Sequence, residues 1–184
     1  MNYLRLATLD DLEAIYSMYL DTRRQMEKEG NFTWNDEYPN KDFFLSDIKN
    51  KCLYMYYEDG SFVGHCALDY DVFSYFFEES KNLAKYNEIL IKTKCLNGKP
   101  NFMIERFMVS PNAQSKGIGS RFLKEILEME KDKNAFACVY KVNSKALSFY
   151  QKNGFKEYGD TYFAEWGKDF DSSCCYLLVN PKGA

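Results

Sequence analysis

Histidine is nearly absent: His65 is the single one among 184 residues. None of the six cysteines, Cys52, Cys66, Cys95, Cys138, Cys174 and Cys175, forms a C-x-x-C pair. Structural zinc is held by four clustered Cys and His donors, commonly delivered by such pairs, so a zinc site is not expected. Several of the cysteines sit in apolar, strand-like runs and read as buried, reduced thiols. A Cys nucleophile with His65 as its base has no further support in the sequence. No segment approaches the ~18–20 uninterrupted apolar residues of a membrane span. The opening MNYLRLATLDDLE is acidic early and lacks the basic region and apolar core of a signal peptide. A cytoplasmic location and no membrane partner are therefore expected. An excess of basic charge is also missing. The net charge of −3 argues against a dedicated nucleic-acid binder, which shows a basic patch or stripe. Repeats, low-complexity tracts and linkers are lacking, and the length suits one domain spanning residues 1–184.

What is present is apolar and aromatic: 46% hydrophobic and 17% aromatic residues, enough for a sizeable core. Tyr3-Leu4-Arg5-Leu6 reads as a short strand. Thr8 with Asp11 three residues on is a capping-box variant. It opens a helix with Leu12, Ile15, Tyr16, Tyr19 and Leu20 at helical spacing. Pro39-Asn40 starts a second helix, with Phe44, Leu45 and Ile48 on its buried side. Residues 52–57 and 61–70 read as two strands joined by Asp59-Gly60, a strong hairpin signal. Between 71 and 99, Leu83, Tyr86 and Leu90 share a helical face and Phe73, Tyr75, Phe76 and Phe77 cluster, which predicts a helical insertion. A strand follows over 102–109, then a helix over 117–131 with Ile118, Phe122, Ile126 and Leu127 inward. Residues 135–140 look like a buried strand. Asn143 can cap a helix that Gly154 ends. Strands around 155–163 and 173–179 finish the chain. Hairpins mixed with two βα crossovers predict an α/β domain with a mixed sheet flanked by helices.

The segment carrying the clearest chemistry is Gln114-Ser115-Lys116-Gly117-Ile118-Gly119. A dinucleotide fingerprint would need a third small residue where Phe122 stands. A P-loop would need Lys-Ser or Lys-Thr after Gly119, where Ser120-Arg121 is found. What remains is a polar turn entering a helix. The first amides of a helix have no partner within it, and the helix dipole there favours negative charge. Glycines at 117 and 119 let an anion approach the backbone, and Lys116 adds a mobile positive charge. A diphosphate suits amides spread along such a stretch better than a single phosphate does.

With Val109-Ser110-Pro111 before it, this segment resembles the Q/R-x-x-G-x-G/A acetyl-CoA motif of the GNAT superfamily of N-acetyltransferases. Asn143-Ser144-Lys145-Ala146-Leu147-Ser148-Phe149-Tyr150-Gln151-Lys152-Asn153-Gly154-Phe155 is similar to that family's N-x-x-A-x-x-x-Y-x-x-x-G-F segment. Gly64 and the strand order agree, so the resemblance covers the chain apart from 71–99. It implies a GNAT-like, mostly antiparallel sheet with acetyl-CoA as cofactor. Phe107, Met108 and Val109 would run beside the pantetheine arm like an added strand. Gln114, Ser115, Lys116, Gly117, Ile118, Gly119 and Ser120 would hold the pyrophosphate, and Asn143 and Tyr150 would line the thioester end.

The implied reaction is direct attack of a primary amine on the thioester. Such chemistry needs a neutral amine, donors for an oxyanion, and a proton for the departing thiolate. Glu105 matches a base used by family members such as polyamine acetyltransferases, acting through water. Tyr150 matches the family's usual general acid. Arg106 is adjacent to Glu105, but strand alternation would point its side chain to the other face. His65 is the rival base. Trp34, Tyr38 and Glu105 are the candidate acceptor-binding residues, with cation–π contact available to an amine and Asp36 and Glu37 to attract positive charge. The acceptor class stays open between small-molecule and peptide amines, as does a homodimer. The alternative function is a non-catalytic acyl-CoA-binding module of the same fold.

Overall fold

The computed structural model describes residues 2–70, 99–162 and 173–179. The chain gathers into two compact units, Met1–Leu68 with Glu105–Met129, and Asp69–Ile104 with Glu130–Ala184.

The first unit starts with strand β1, Tyr3–Leu6, and helix α1, Leu12–Lys28. A 3₁₀ turn over Leu9–Asp11 leads into α1. The expected cap forms there: the Asp11 carboxylate accepts from the Thr8 amide at 2.8 Å. Arg5 clamps the same carboxylate with two bonds of 2.8 and 2.7 Å, so the cap is tied to β1. Helix α2, Lys41–Lys49, begins where Asn40 accepts from the Asp42 amide at 3.0 Å. Strands β2, Leu53–Glu58, and β3, Ser61–Asp69, form an antiparallel hairpin with Glu58 opposite Ser61. Asp59 and Gly60 both take positive φ, +49° and +79°, as a two-residue turn of matching twist requires. β1 pairs antiparallel with β2, and the order in this unit is β1-β2-β3-β4. Strand β4 is Asn101–Val109, and its second half belongs here. Helix α3, Ile118–Met129, follows and buries Ile118, Phe122, Leu123 and Ile126.

The core under α1 and α2 is built from Ile15, Met18, Tyr19, Phe44, Ile48, Leu53, Met55 and Met108. These are the apolar stripes of the two helices meeting alternate residues of β2, Leu53 and Met55, and Met108 of β4, as the 3.6 and 2.0 periodicities dictate.

The second unit contains the first half of β4, strand β5 (Asn134–Tyr140), helix α4 (Ser144–Lys152), and strands β6 (Lys156–Tyr162) and β7 (Ser173–Val179). Its order is β4-β5-β7-β6. β4 and β5 run parallel, from Asn101 opposite Asn134 to Ile104 opposite Ala137. β7 is antiparallel to both β5 and β6. Asn134 is fully buried and bonded: its amide donates to Pro100 O at 2.8 Å and its side chain to Asn101 Oδ1 at 2.9 Å. That asparagine explains why the strand starts one residue before the apolar run.

The fold is thus mixed α/β, with mostly antiparallel strands flanked by helices, as expected. The helical insertion expected over 71–99 lies almost wholly outside the described residues. Cys66 is buried, and Cys52 and Cys138 are half-buried.

Candidate active site

After Val109 the chain makes a 3₁₀ turn over Pro111–Ala113 and then a tight polar turn. Ser115 and Gly117 are left-handed, at φ +63° and +74°. Ser115, Lys116 and Gly117 are exposed, and α3 begins at Ile118. The Arg121 amide bonds Gly117 O at 3.1 Å, which is the first helical bond. The amides of Ile118, Gly119 and Ser120 therefore have no carbonyl within the helix to bond. The Gln114 amide instead closes the 3₁₀ turn on Pro111 O at 3.4 Å, and its side chain donates to Val109 O at 3.0 Å. Gln114 thus braces the strand end. Phe107, on the strand, stacks on Phe122 with ring centroids 4.6 Å apart.

Charge around this turn is biased toward anions. Residues 110–120, SPNAQSKGIGS, contain no carboxylate. The nearby acid, Glu58, is clamped by Arg121 at 2.7 and 2.9 Å, which neutralises both groups. Arg121 also donates to Lys116 O at 3.1 Å and so shapes the turn. Lys116 is left as the net positive charge, its ammonium resting on Asn112 O at 3.2 Å. A Cβ on Gly117 would stand 3.2 Å from Arg121 Nη1, so the glycine serves both the left-handed backbone and that packing.

Glu105 has a different neighbourhood from the one strand alternation gives. Arg106 does not face away from it. Its guanidinium pairs with Glu105 Oε2 at 2.8 Å, and it grips Asp47 of α2 with two bonds of 2.8 Å. The physical reason is the backbone: Arg106 takes φ +48°, a left-handed value for a non-glycine residue, which breaks the alternation between consecutive side chains. Arg106 also donates to the Tyr38 hydroxyl at 3.2 Å.

His65 is wholly buried, edge-on to Phe44, and neither ring nitrogen has a hydrogen-bond partner among the described residues. Burial, helped by the Arg106 charge, pushes its pKa down to about 3. A histidine so reluctant to hold a proton is a poor base near neutrality. Burial likewise pushes the Cys66 thiol well up, so that thiol stays protonated.

The loop between α1 and α2 is pinned rather than open. Trp34 packs partly buried against the core, 6.0 Å from the Tyr19 ring. The Tyr38 hydroxyl is buried, and burial raises its pKa to about 12. Asp36 is paired with Arg23 at 2.5 Å, so its charge is already answered, while Glu37 is exposed. In the second unit, Asn143 Oδ1 caps α4 by accepting from the Ala146 amide at 3.1 Å. Tyr150 is buried between Phe149 and Phe155, with centroids 5.2 and 5.0 Å away.

The structure thus brings Glu105 and Tyr38 to one guanidinium, and Ser115 to Ser120 to one turn. It keeps Trp34 in the core wall. Asp47 is the residue that the sequence reading missed. Its signal was available: an acid at 47 shares the helical face of Phe44 and Ile48, and a carboxylate on an apolar stripe implies a buried cation.

A model of the acetyltransferase (GNAT) family matches residues 12–155, which span both the glycine turn and the Asn143–Phe155 segment. The chain belongs to that family. Among solved structures, a GNAT acetyltransferase from Streptococcus agalactiae is similar at 18% identity, with a TM-score of 0.73 over 100% of this chain and 96% of that one. The ribosomal-protein-S18-alanine N-acetyltransferase of Escherichia coli gives 13% identity and a TM-score of 0.64, covering 100% and 96%. Naa50 of Arabidopsis thaliana, solved with the bisubstrate analogue CoA-Ac-MVNAL, gives 17% and 0.60, covering 97% and 98%. At these identities the likeness is one of fold.

The GNAT family transfers acetyl groups from acetyl-CoA. The turn of this member suits that cosubstrate's diphosphate: it offers backbone amides at a helix start, one lysine, and no acid of its own. Gly64 adds a close-packing requirement on the neighbouring strand. A Cβ there would lie 2.7 Å from Met108 O and 3.2 Å from the Phe122 ring. Gly64→Ala should therefore push β4 from β3 and lower the unfolding free energy by about 1–3 kcal/mol. A urea melt measures this, and an unshifted midpoint would show that β4 gives way freely.

Proposed function

We propose that residues 1–184 work as one N-acetyltransferase domain, moving an acetyl group from acetyl-CoA to a primary amine of a small molecule or peptide by direct attack in a ternary complex. The observation that carries this reading is the exposed left-handed turn at Ser115 and Gly117 leading into the amides of Ile118, Gly119 and Ser120, which have no carbonyl partner within the helix. Backbone donors, Lys116 and the helix dipole together favour a diphosphate. Phe107, Met108 and Val109 provide the strand beside the pantetheine arm, and Asn143 and Tyr150 serve the thioester end.

When bound, acetyl-CoA supplies a thioester whose carbonyl carbon accepts the amine and whose sulfur departs. Glu105 takes a proton from the amine through water, freeing the nitrogen lone pair. An amide near Met108 or Val109 donates to the carbonyl oxygen as it gains charge. Tyr150 gives its hydroxyl proton to the departing sulfur. Holding both reactants in place adds to these effects, since effective molarities reach about 10⁵ M or more. Trp34 and Tyr38 support the acceptor side, with Tyr38 fixed by its bond to Arg106.

Glu105→Gln should flatten the low-pH limb of the rate profile, because glutamine has no proton to lose. An unaltered limb rejects Glu105 as base. The engagement of Glu105 by Arg106 is also what a non-catalytic acyl-CoA-binding module would show. One experiment separates the two functions: thiol release from acetyl-CoA, screened across polyamines, amino acids, peptide N-termini, lysine side chains and antibiotic amines. Release with one class establishes transfer. Calorimetric binding of coenzyme A with no release in any class establishes the binding module.

A further inference from the structure

We propose that Arg106 is the positioning residue for Glu105, balancing it against Asp47 so that one guanidinium sets both the place and the ionisation of the carboxylate. This rests on the reading of Glu105 as the base. The geometry is specific. Arg106 is 7% exposed in its side chain and Asp47 10%, while Glu105 is 21% exposed. The fork toward Asp47 is bidentate, and the Nη2 group that completes it also reaches Glu105. A buried arginine needing only a counter-ion is satisfied by Asp47 alone. The left-handed backbone at Arg106 does something more: it turns residue 106 onto the same side as residue 105. A non-glycine residue at positive φ persists where the surroundings over-determine it, and such residues gather at functional sites.

The described groups packed here come from several parts of the chain. From the loop comes Tyr38, whose hydroxyl is held protonated. From β3 come His65 and Cys66, both neutral near pH 7. From the residue before β2 comes the Cys52 thiol, on Asp47 O at 3.4 Å and 3.9 Å from Asp47 Oδ1. From α2 comes Asp47, and from β4 Arg106 and Glu105. The Arg106 cation favours ionised Glu105, and the Asp47 anion opposes it. Removing either partner must therefore move Glu105 in opposite directions. A merely structural role produces no such pair of signs.

The test is the titration of the Glu105 carboxyl by NMR in the full chain labelled with ¹³Cδ-glutamate, its signal assigned by its loss in E105Q. No acceptor or coenzyme is needed. In R106Q the midpoint should rise by about one pH unit or more, and in D47N it should fall. R106K should restore most of the wild-type value. R106G relieves the left-handed backbone while removing the charge, so it should fold and still raise the midpoint, and it carries the test where R106Q does not fold. A midpoint unchanged in R106Q and R106G, or raised in D47N, overturns the positioning role and leaves the base assignment standing. A low-pH limb that survives E105Q in turnover overturns the base and this inference with it.

Discussion

Gly119→Asp abolishes binding of coenzyme A while leaving the protein folded. The two halves of this expectation come from one feature, the start of α3 at Ile118. A carboxylate in the first turn of a helix is favoured by the helix dipole, so the substitution stabilises α3 slightly or leaves it unchanged. The same carboxylate puts a full negative charge and added bulk where amides without a helical partner would meet an incoming diphosphate. The loss in affinity should be at least about 100-fold, or about 2.7 kcal/mol. Isothermal calorimetry with coenzyme A, beside a thermal melt, reads both halves. Affinity retained in the folded variant would falsify the assignment of this turn as the diphosphate site.

Tyr150→Phe should lower kcat by about 10²-fold, the scale of a lost general acid, with coenzyme A affinity kept. The substitution removes one oxygen and preserves the ring contacts to Phe149 and Phe155, so the packing around α4 survives. Binding then separates from turnover, which is the signature of a group acting on the leaving sulfur rather than on the ground-state complex. Turnover within about twofold of wild type would assign Tyr150 to the core of its unit. Single-turnover measurement with saturating acetyl-CoA and an acceptor found in the amine screen gives the number.

The two experiments probe different units, and neither depends on the other. If Gly119→Asp binds nothing and Tyr150→Phe binds well but turns over slowly, the turn holds the coenzyme and the tyrosine serves the chemistry. The Arg106 and Asp47 titrations add a third axis, because they read a charge balance in the absence of either reactant.

What the sequence by itself determined was mostly short-range. Thr8 with Asp11, Asn40 and Asn143 cap their helices because a side-chain oxygen and a nearby amide meet within three residues whatever lies beyond. Asp59-Gly60 makes the hairpin for the same reason, since its positive φ values are intrinsic preferences of those residues. The glycine turn was legible because close backbone approach demands glycine locally. Only the tertiary structure decided the surroundings of Glu105. Arg106 meets Asp47 across 59 residues of chain, on a left-handed backbone that arginine does not itself prefer. Alternation along a strand is a rule for regular backbone, and it failed at the residue where a buried guanidinium had two carboxylates to reach. Burial decided His65 in the same way: a strand pattern places it inward, but only the packed core shows that both nitrogens lack partners among the described residues and that the ring stays neutral. Local codes can be read along the chain. Charge balance in a buried cluster depends on which distant groups the fold brings together.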